Sequence, residues 1–130
     1  MRYVFYILVY FLLFMPIILH SFCFDQAGRH YGISPALLWA IAKRESSLNP
    51  SAIHYNKNGS FDVGLMQINS RWYPVLGHER WMMLGDACHN VMTGAWILSL
   101  CIQRYGYTWQ AVGCYNASSR QKQEAYARNI

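Results

Sequence analysis

The sequence has no internal repeat, no low-complexity tract and no linker-like segment, so it predicts a single domain rather than a repeat array or a multi-domain chain. Acidic residues are scarce: six Asp and Glu stand against eleven Lys and Arg in 130 residues. The basic residues are scattered rather than gathered into a stripe, which argues against nucleic-acid binding. The positive balance suits an anionic polymer as partner, or serves solubility alone.

Metal-binding spacing is absent as well. Cys88, Cys101 and Cys114 follow one another at intervals of 13 residues, which matches no CxxC arrangement, and no two histidines have the HxxxH spacing. None of the five histidines stands at catalytic spacing from an aspartate or a cysteine. We therefore expect no metal site and no cofactor.

The longest hydrophobic run lies at the start of the sequence. Residues 3 to 19 are uncharged and almost wholly apolar, Arg2 precedes them and the small Ser21 follows. This arrangement predicts a secretory signal peptide over residues 1 to 22 and an exported domain over residues 23 to 130. The run is also long enough for a retained inner-membrane anchor, but Pro16 near its end favours cleavage.

Capping signals predict that the exported domain is mostly α-helical. Ser34 and Pro35 supply an N-cap and a first-turn proline, and Asp86 and Gly106 stand before and after a long predicted helix. Thr108 can cap the helix that follows. Turn residues around residues 55 to 63 allow at most one small β-hairpin. The predicted helices cover residues 24–31, 35–49, 78–84, 87–105, 109–117 and 120–130, with a helical turn over residues 65–69.

An acidic side chain interrupts the apolar face of the second predicted helix. At about 100° per residue, one arc of that helix collects the apolar residues Leu37, Leu38, Ile41, Ala42 and Leu48, and Glu45 falls inside it. Burial disfavours the charged form of a carboxyl, and a carboxyl that is neutral near physiological pH can act as a general acid. Alternatively, Glu45 reaches water at the helix end or pairs with Arg44.

Glu45 lies in the first of three motifs, which follow one another along the sequence as "AIAKRESSLNPSAI", "GLMQIN" and "CYNAS". In residue identity and spacing they resemble the soluble lytic transglycosylase family, and in particular its small peptidoglycan-cleaving members attached to type III secretion, conjugation or pilus systems. The resemblance covers residues 24 to 130. It implies a lysozyme-like helical domain.

The resemblance also implies roles for single residues. Glu45 matches the family's catalytic acid, and Tyr115 matches a tyrosine that orients this acid from the opposite wall. The implied substrate-binding residues are Ser46, Gly64, Leu65, Met66, Gln67, Tyr115 and Asn116.

A second acid, Asp62, stands in "NGSFDVGLMQINSRW", which is similar to the active-site loop of c-type lysozymes. That likeness implies a catalytic role beside Glu45, as an anion that stabilises a developing positive charge. The alternative is a turn aspartate that hydrogen-bonds to its own backbone after Asn58 and Gly59.

Four cysteines in a small exported domain indicate two disulfides, and three pairings are possible. If the fourth and fifth main helices fold back on each other, Cys101 and Cys114 stand at similar heights on facing helices. They could instead be two small buried apolar residues. Cys23 and Cys88 are then left to pair, and the resemblance implies the same bridge.

Taken together, these features predict a monomeric enzyme of the bacterial periplasm that needs no cofactor. The resemblance implies that it cleaves the β-1,4 bond between N-acetylmuramic acid and N-acetylglucosamine, forms a 1,6-anhydro product and opens the wall for a secretion or pilus apparatus. One alternative is a muramidase that uses Glu45 and Asp62 to hydrolyse the same bond. Another is a peptidoglycan-binding assembly factor without activity.

Overall fold

The computed structural model describes residues 22–117 and 119–130. The predicted signal peptide, apart from Phe22, lies outside the described residues. Within the described part, no helix is both long enough and apolar enough to span a membrane.

The described part of the chain is mostly helical, as predicted. Its six α-helices are α1 Phe24–Tyr31, α2 Pro35–Ser46, α3 Tyr73–Met82, α4 Ala87–Tyr105, α5 Trp109–Asn116 and α6 Arg120–Ala127. Two short 3-10 turns, Ser70–Trp72 and Met83–Gly85, flank α3. Gly77 (φ 77°, ψ 166°) is not helical and divides α3 into two segments. The second segment begins at His78, as predicted, and the last two residues of the predicted helix at 78–84 lie in the 3-10 turn Met83–Gly85.

Side-chain caps fix the start of three of these helices, and each cap was predicted. The Ser34 hydroxyl accepts a hydrogen bond from the Leu37 N–H at the start of α2. The Asp86 carboxylate accepts one from the His89 N–H at the start of α4, at 2.7 Å. The Thr108 hydroxyl accepts a hydrogen bond from the Ala111 N–H at the start of α5. Such caps satisfy backbone donors that have no partner inside the helix.

A small antiparallel sheet of three strands packs beside the helices. Its strands are β1 Ile53–Tyr55, β2 Phe61–Val63 and β3 Ile68–Asn69, in the order β1-β2-β3. The β1-β2 hairpin was predicted, but the helical turn predicted over residues 65–69 is wrong at Ile68 and Asn69. The chain reverses direction between Gly64 (φ 77°) and Gln67 (φ 53°), so Ile68 and Asn69 are extended and pair with β2.

Helix α4 forms the centre of the core. Its buried residues are Asn90, Val91, Thr93, Gly94, Ala95, Ile97, Leu98 and Cys101. Helices α1 and α5 pack against α4, and α6 packs against α5. One continuous apolar core therefore joins the first described helix to the last.

Both predicted disulfides are present. Cys23 bonds to Cys88, which joins the start of α1 to α4, and Cys101 bonds to Cys114, which joins α4 to α5. The described residues contain no free cysteine. Because each bridge ends on α4, both neighbouring helices are covalently attached to the centre of the core.

The side chain of Asn90 connects α4 to the sheet. Its amide nitrogen donates to the carbonyls of Val63 and Leu84, at 2.9 and 3.0 Å, and its oxygen accepts from the Met66 N–H at 2.8 Å. A Cβ at Gly64 would lie 2.2 Å from this amide nitrogen, so only glycine fits beside it. Asn90 is 1% exposed, so no water can replace these bonds without a rearrangement.

We expect Asn90→Leu to lower the free energy of unfolding by at least about 3 kcal/mol. Leucine has a similar size but leaves one buried N–H and two buried carbonyls without this partner, and each buried unsatisfied group costs at least about 1 kcal/mol. Urea unfolding under oxidising conditions measures the change. Gln103→Leu, at an exposed position of the same helix, is the control; equal stability of the two variants would contradict the role of Asn90.

Candidate active site

Glu45 lies in the last turn of α2, on the apolar arc that the sequence predicted. Leu38, Ile41 and Ala42 on this arc are fully buried, and Leu48 packs against the core. The Glu45 side chain itself is partly buried and reaches the wall of a groove. The helix therefore holds one carboxyl at the boundary between the core and the groove.

Burial raises the pKa of Glu45 above the ordinary value of a glutamate, and the nearby Asp62 carboxylate raises it further. Hydrogen bonds from Tyr126 and Asn116, together with the Arg44 cation, act in the opposite direction but do not cancel the effect of burial. The Tyr126 hydroxyl donates to a Glu45 carboxyl oxygen at 2.5 Å. Glu45 is therefore both poised to hold a proton and fixed in one orientation.

The tyrosine that contacts Glu45 is Tyr126, which the sequence analysis did not identify. Tyr115, predicted for that role, is buried and donates instead to the Met66 carbonyl at 2.7 Å. Burial raises the pKa of both phenols, so each hydroxyl keeps its proton and remains a donor. Tyr126 is the one aromatic residue on the predominantly polar helix Arg120–Ala127, and this contrast was the available sign that it faces inwards.

Asp62 lines the same groove from strand β2, among polar side chains. Asn56 donates to one oxygen of its carboxylate at 2.9 Å, and Asn69 donates to the other at 2.7 Å. Asn69 pairs directly with Asp62 across β2 and β3, so the two side chains share a face of the sheet. Asp62 therefore lies in a strand with both side-chain oxygens bonded to other side chains, unlike a turn aspartate that bonds to its own backbone.

The groove consists of two adjoining cavities of about 650 and 540 Å³. Five residues line both of them: Glu45, Asn56, Asp62, Gln67 and Asn116. The larger cavity is bordered also by Tyr115 and by Trp72, an aromatic ring suited to stacking on a sugar.

Among the residues predicted to bind substrate, Gln67 and Asn116 lie on the groove wall. The Gln67 amide nitrogen donates to the carbonyls of Ala52 and Gly64, so its oxygen is the part available to a ligand. Ser46 borders the smaller cavity, but its hydroxyl donates to the Leu65 carbonyl at 2.8 Å.

The remaining three predicted binding residues, Gly64, Leu65 and Met66, are buried in the core and do not line either cavity. They support the wall rather than form it. In the described part of the chain, no group of three His, Cys, Asp or Glu side chains is arranged to hold a metal ion.

Comparison with known proteins identifies the family. The sequence model of the transglycosylase SLT domain matches residues 22–129. The chain belongs to the SLT transglycosylase domain family. Its SLT domain is 43% identical over 115 residues to invasion protein IagB of Salmonella typhimurium, a match that covers 83% of this chain and 72% of that protein.

Two further relatives of this SLT domain match most of its length. Protein IpgF of Shigella flexneri is 40% identical over 126 residues, which cover 92% of this chain and 83% of IpgF. The X polypeptide of Escherichia coli K12 is 38% identical over 129 residues, which cover 92% of this chain and 76% of that protein.

We expect Tyr126→Phe to raise the pKa of Glu45 in this SLT domain still further, because the variant loses a hydrogen bond that stabilises the carboxylate. Titration of the Glu45 side-chain carboxyl carbon by NMR measures the shift. Tyr115→Phe is the matched control, since its hydroxyl bonds to the Met66 carbonyl and not to Glu45. An equal shift in both variants, or none in Tyr126→Phe, would contradict the assigned contact.

Proposed function

We propose that this chain is a peptidoglycan lytic transglycosylase that cleaves the β-1,4 bond between N-acetylmuramic acid and N-acetylglucosamine. The observation that carries the proposal is Glu45: one partly buried carboxyl with a raised pKa, oriented by Tyr126 on the wall of a polar groove. Membership of the SLT transglycosylase domain family supports the same assignment.

The reaction needs one group that first gives and then takes a proton. Glu45 donates its proton to the glycosidic oxygen, the bond from that oxygen to the muramoyl C1 breaks, and positive charge develops at C1. The resulting Glu45 carboxylate then removes the proton of the muramoyl C6 hydroxyl, whose oxygen bonds to C1 and closes the 1,6-anhydro ring. Glu45 is protonated again at the end, and no water is consumed.

The surroundings of Glu45 suit both halves of this cycle. Burial favours the protonated form before bond cleavage, whereas hydrogen bonds from Tyr126 and Asn116 stabilise the carboxylate that exists between the two proton transfers. The Asp62 carboxylate, which lines the same groove, stabilises the positive charge at C1, because opposite charges attract.

A second candidate function is hydrolysis of the same bond by a muramidase mechanism. Asp62 favours it, because Asn56 and Asn69 fix both oxygens of its carboxylate in a defined position. A fixed second carboxylate could hold the intermediate until water attacks C1. The two functions differ in the product, since hydrolysis leaves a reducing muramoyl end instead of an anhydro ring.

For the biological setting, we propose that the chain is exported to the bacterial periplasm and acts there as a monomer on glycan strands. The resemblance to secretion- and pilus-associated enzymes supports a role in opening the wall locally for such an apparatus. Its relative IagB is named an invasion protein, which is compatible with that setting.

We expect Glu45→Gln to reduce cleavage of purified peptidoglycan at least about 100-fold, the usual scale of acid-base assistance. Glutamine keeps the size of the side chain and an oxygen for Tyr126 but has no proton to transfer. Release of soluble muropeptides measures the loss. Unchanged release would show that Glu45 is not the acid, and the proposal would be abandoned.

We expect Glu45→Gln to raise the thermal stability of the chain at neutral pH although it lowers the activity, so a loss of cleavage cannot be attributed to misfolding. Since the pKa of Glu45 is raised in the folded chain, the parent loses stability as pH rises from the ordinary glutamate pKa through the folded value. Glu45→Gln should therefore unfold at a higher temperature than the parent at neutral pH and at a similar temperature at about pH 3.

We expect Asp62→Asn to reduce the rate by about 10- to 100-fold without changing the anhydro product, because a charge-stabilising group contributes less than the proton donor. Mass spectrometry of the released muropeptides distinguishes anhydro from reducing ends. Asn69→Ala is the control, since it loosens Asp62 but keeps its charge. A reducing product in the parent would favour the muramidase instead.

A further inference from the structure

We propose that Lys57, Arg71 and Lys122 make the larger cavity selective for carboxylate-bearing muramoyl residues over neutral glycan. This inference rests on the proposed function, because it concerns the substrate of the same groove. It adds what part of the substrate the groove recognises and which side chains recognise it.

The first observation is the position of these cations. All three are exposed side chains that line the larger cavity, whereas no described Lys or Arg lines the smaller one. Glu45 and Asp62 are the only acids among the described residues that border the larger cavity. Since burial favours the neutral form of Glu45, this part of the groove carries an excess of positive charge.

The second observation is that no described acidic residue forms an ion pair with these cations. Among the described residues the only ion pair is formed by Arg120 and Glu124, which do not line either cavity. The Asp62 carboxylate borders the same cavity, but its side-chain partners are the amides of Asn56 and Asn69 rather than Lys57, Arg71 or Lys122. Lys57, Arg71 and Lys122 therefore point to an anion that comes with the ligand.

The chemistry of the strand supplies such an anion only at its muramoyl residues. A neutral oligomer of N-acetylglucosamine has no carboxylate, whereas N-acetylmuramic acid carries a lactyl group. That group is a free carboxylate in peptide-free strands, and in substituted strands it is an amide bonded to a stem peptide that has carboxylates of its own. Either source presents the same ligand to a Lys or Arg side chain.

The elements that carry the three cations suit this task. Lys57 lies in the loop between β1 and β2, Arg71 in the 3-10 turn after β3, and Lys122 on α6. They border the cavity from three separate segments, so groups projecting from one strand in different directions can each meet a cation. Glu45 and Gln67 border the same cavity and remain free to bind the sugar ring itself.

Equilibrium binding to three oligomers of equal length tests the proposal, with Glu45→Gln as the background so that no ligand is cleaved. The oligomers are N-acetylglucosamine alone, the alternating muramoyl strand without peptides, and the same strand with stem peptides. We expect at least one muramoyl ligand to bind about three- to tenfold more tightly than the neutral oligomer, since each exposed charge pair contributes a few-fold at most. Whichever of the two binds tightly identifies the source of the carboxylate.

Substitution of the cations then assigns the preference. The triple variant Lys57→Gln, Arg71→Gln, Lys122→Gln should lose the preference while binding the neutral oligomer as before. The control variant Arg29→Gln, Lys43→Gln, Arg80→Gln has the same net charge but alters exposed residues that line neither cavity, and it should keep the preference. Added salt should weaken the preference in the control variant, because screening reduces interactions between exposed charges.

The inference is overturned if the neutral oligomer binds as tightly as both muramoyl ligands, or if the triple variant keeps the preference. Because binding is measured without turnover, this outcome does not depend on the cleavage reaction. Release of muropeptides by the parent enzyme tests the proposed function separately, and either result can hold without the other.

Discussion

The groove depends on one interaction: a partly buried carboxyl, Glu45, is held in a fixed orientation at the end of α2. The Tyr126 hydroxyl provides this contact from α6, 81 residues further along the chain. Helix α6 reaches that position only because it packs closely on α5, where a Cβ at Gly113 would lie 2.2 Å from the Gln123 carbonyl oxygen. The Cys101–Cys114 bridge in turn attaches α5 to α4. The contact with Glu45 is therefore the endpoint of a continuous packed chain of helices.

The two carboxyls of the groove have opposite surroundings, and the architecture separates them. Glu45 comes from a helix whose neighbours are apolar, whereas Asp62 comes from a strand and is surrounded by the amides of Asn56 and Asn69. Lysozyme is the standard case of two carboxyls whose environments assign one as acid and the other as anion. In the proposed function the same physical logic assigns Glu45 as the acid and Asp62 as the anion, because one lies on a helix among apolar residues and the other on a strand among amides.

Local signals predicted much of this structure. Three helix starts were predictable from their capping residues, because each cap bonds to an N–H only three residues away; these residues are Ser34, Asp86 and Thr108. Glu45 was identifiable because it is the one acidic residue on an apolar arc of its own helix. The features that sequence reasoning missed all depend on distant partners. β3 exists because Ile68 and Asn69 pair with β2, and Tyr126 acts on a residue in another helix. No local pattern contains that information.

The segment from Gly64 to Gln67 shows how residues without ligand contacts can still determine a site. The side chains of Leu65 and Met66 are buried, and the backbone of the segment hydrogen-bonds to three different helices. The Leu65 carbonyl accepts from Ser46 at the end of α2, the Met66 carbonyl accepts from Tyr115 on α5, and the Met66 N–H donates to Asn90 on α4.

Each of these bonds uses a backbone group that the tight turn leaves unpaired within the sheet, so the turn and its partners stabilise each other. Gln67 has a positive φ (53°) and directly follows Leu65 and Met66, whose backbone groups form these bonds. The wall residue Gln67 is thus placed by three helices at once, and a change in any of them would move the amide that faces the groove.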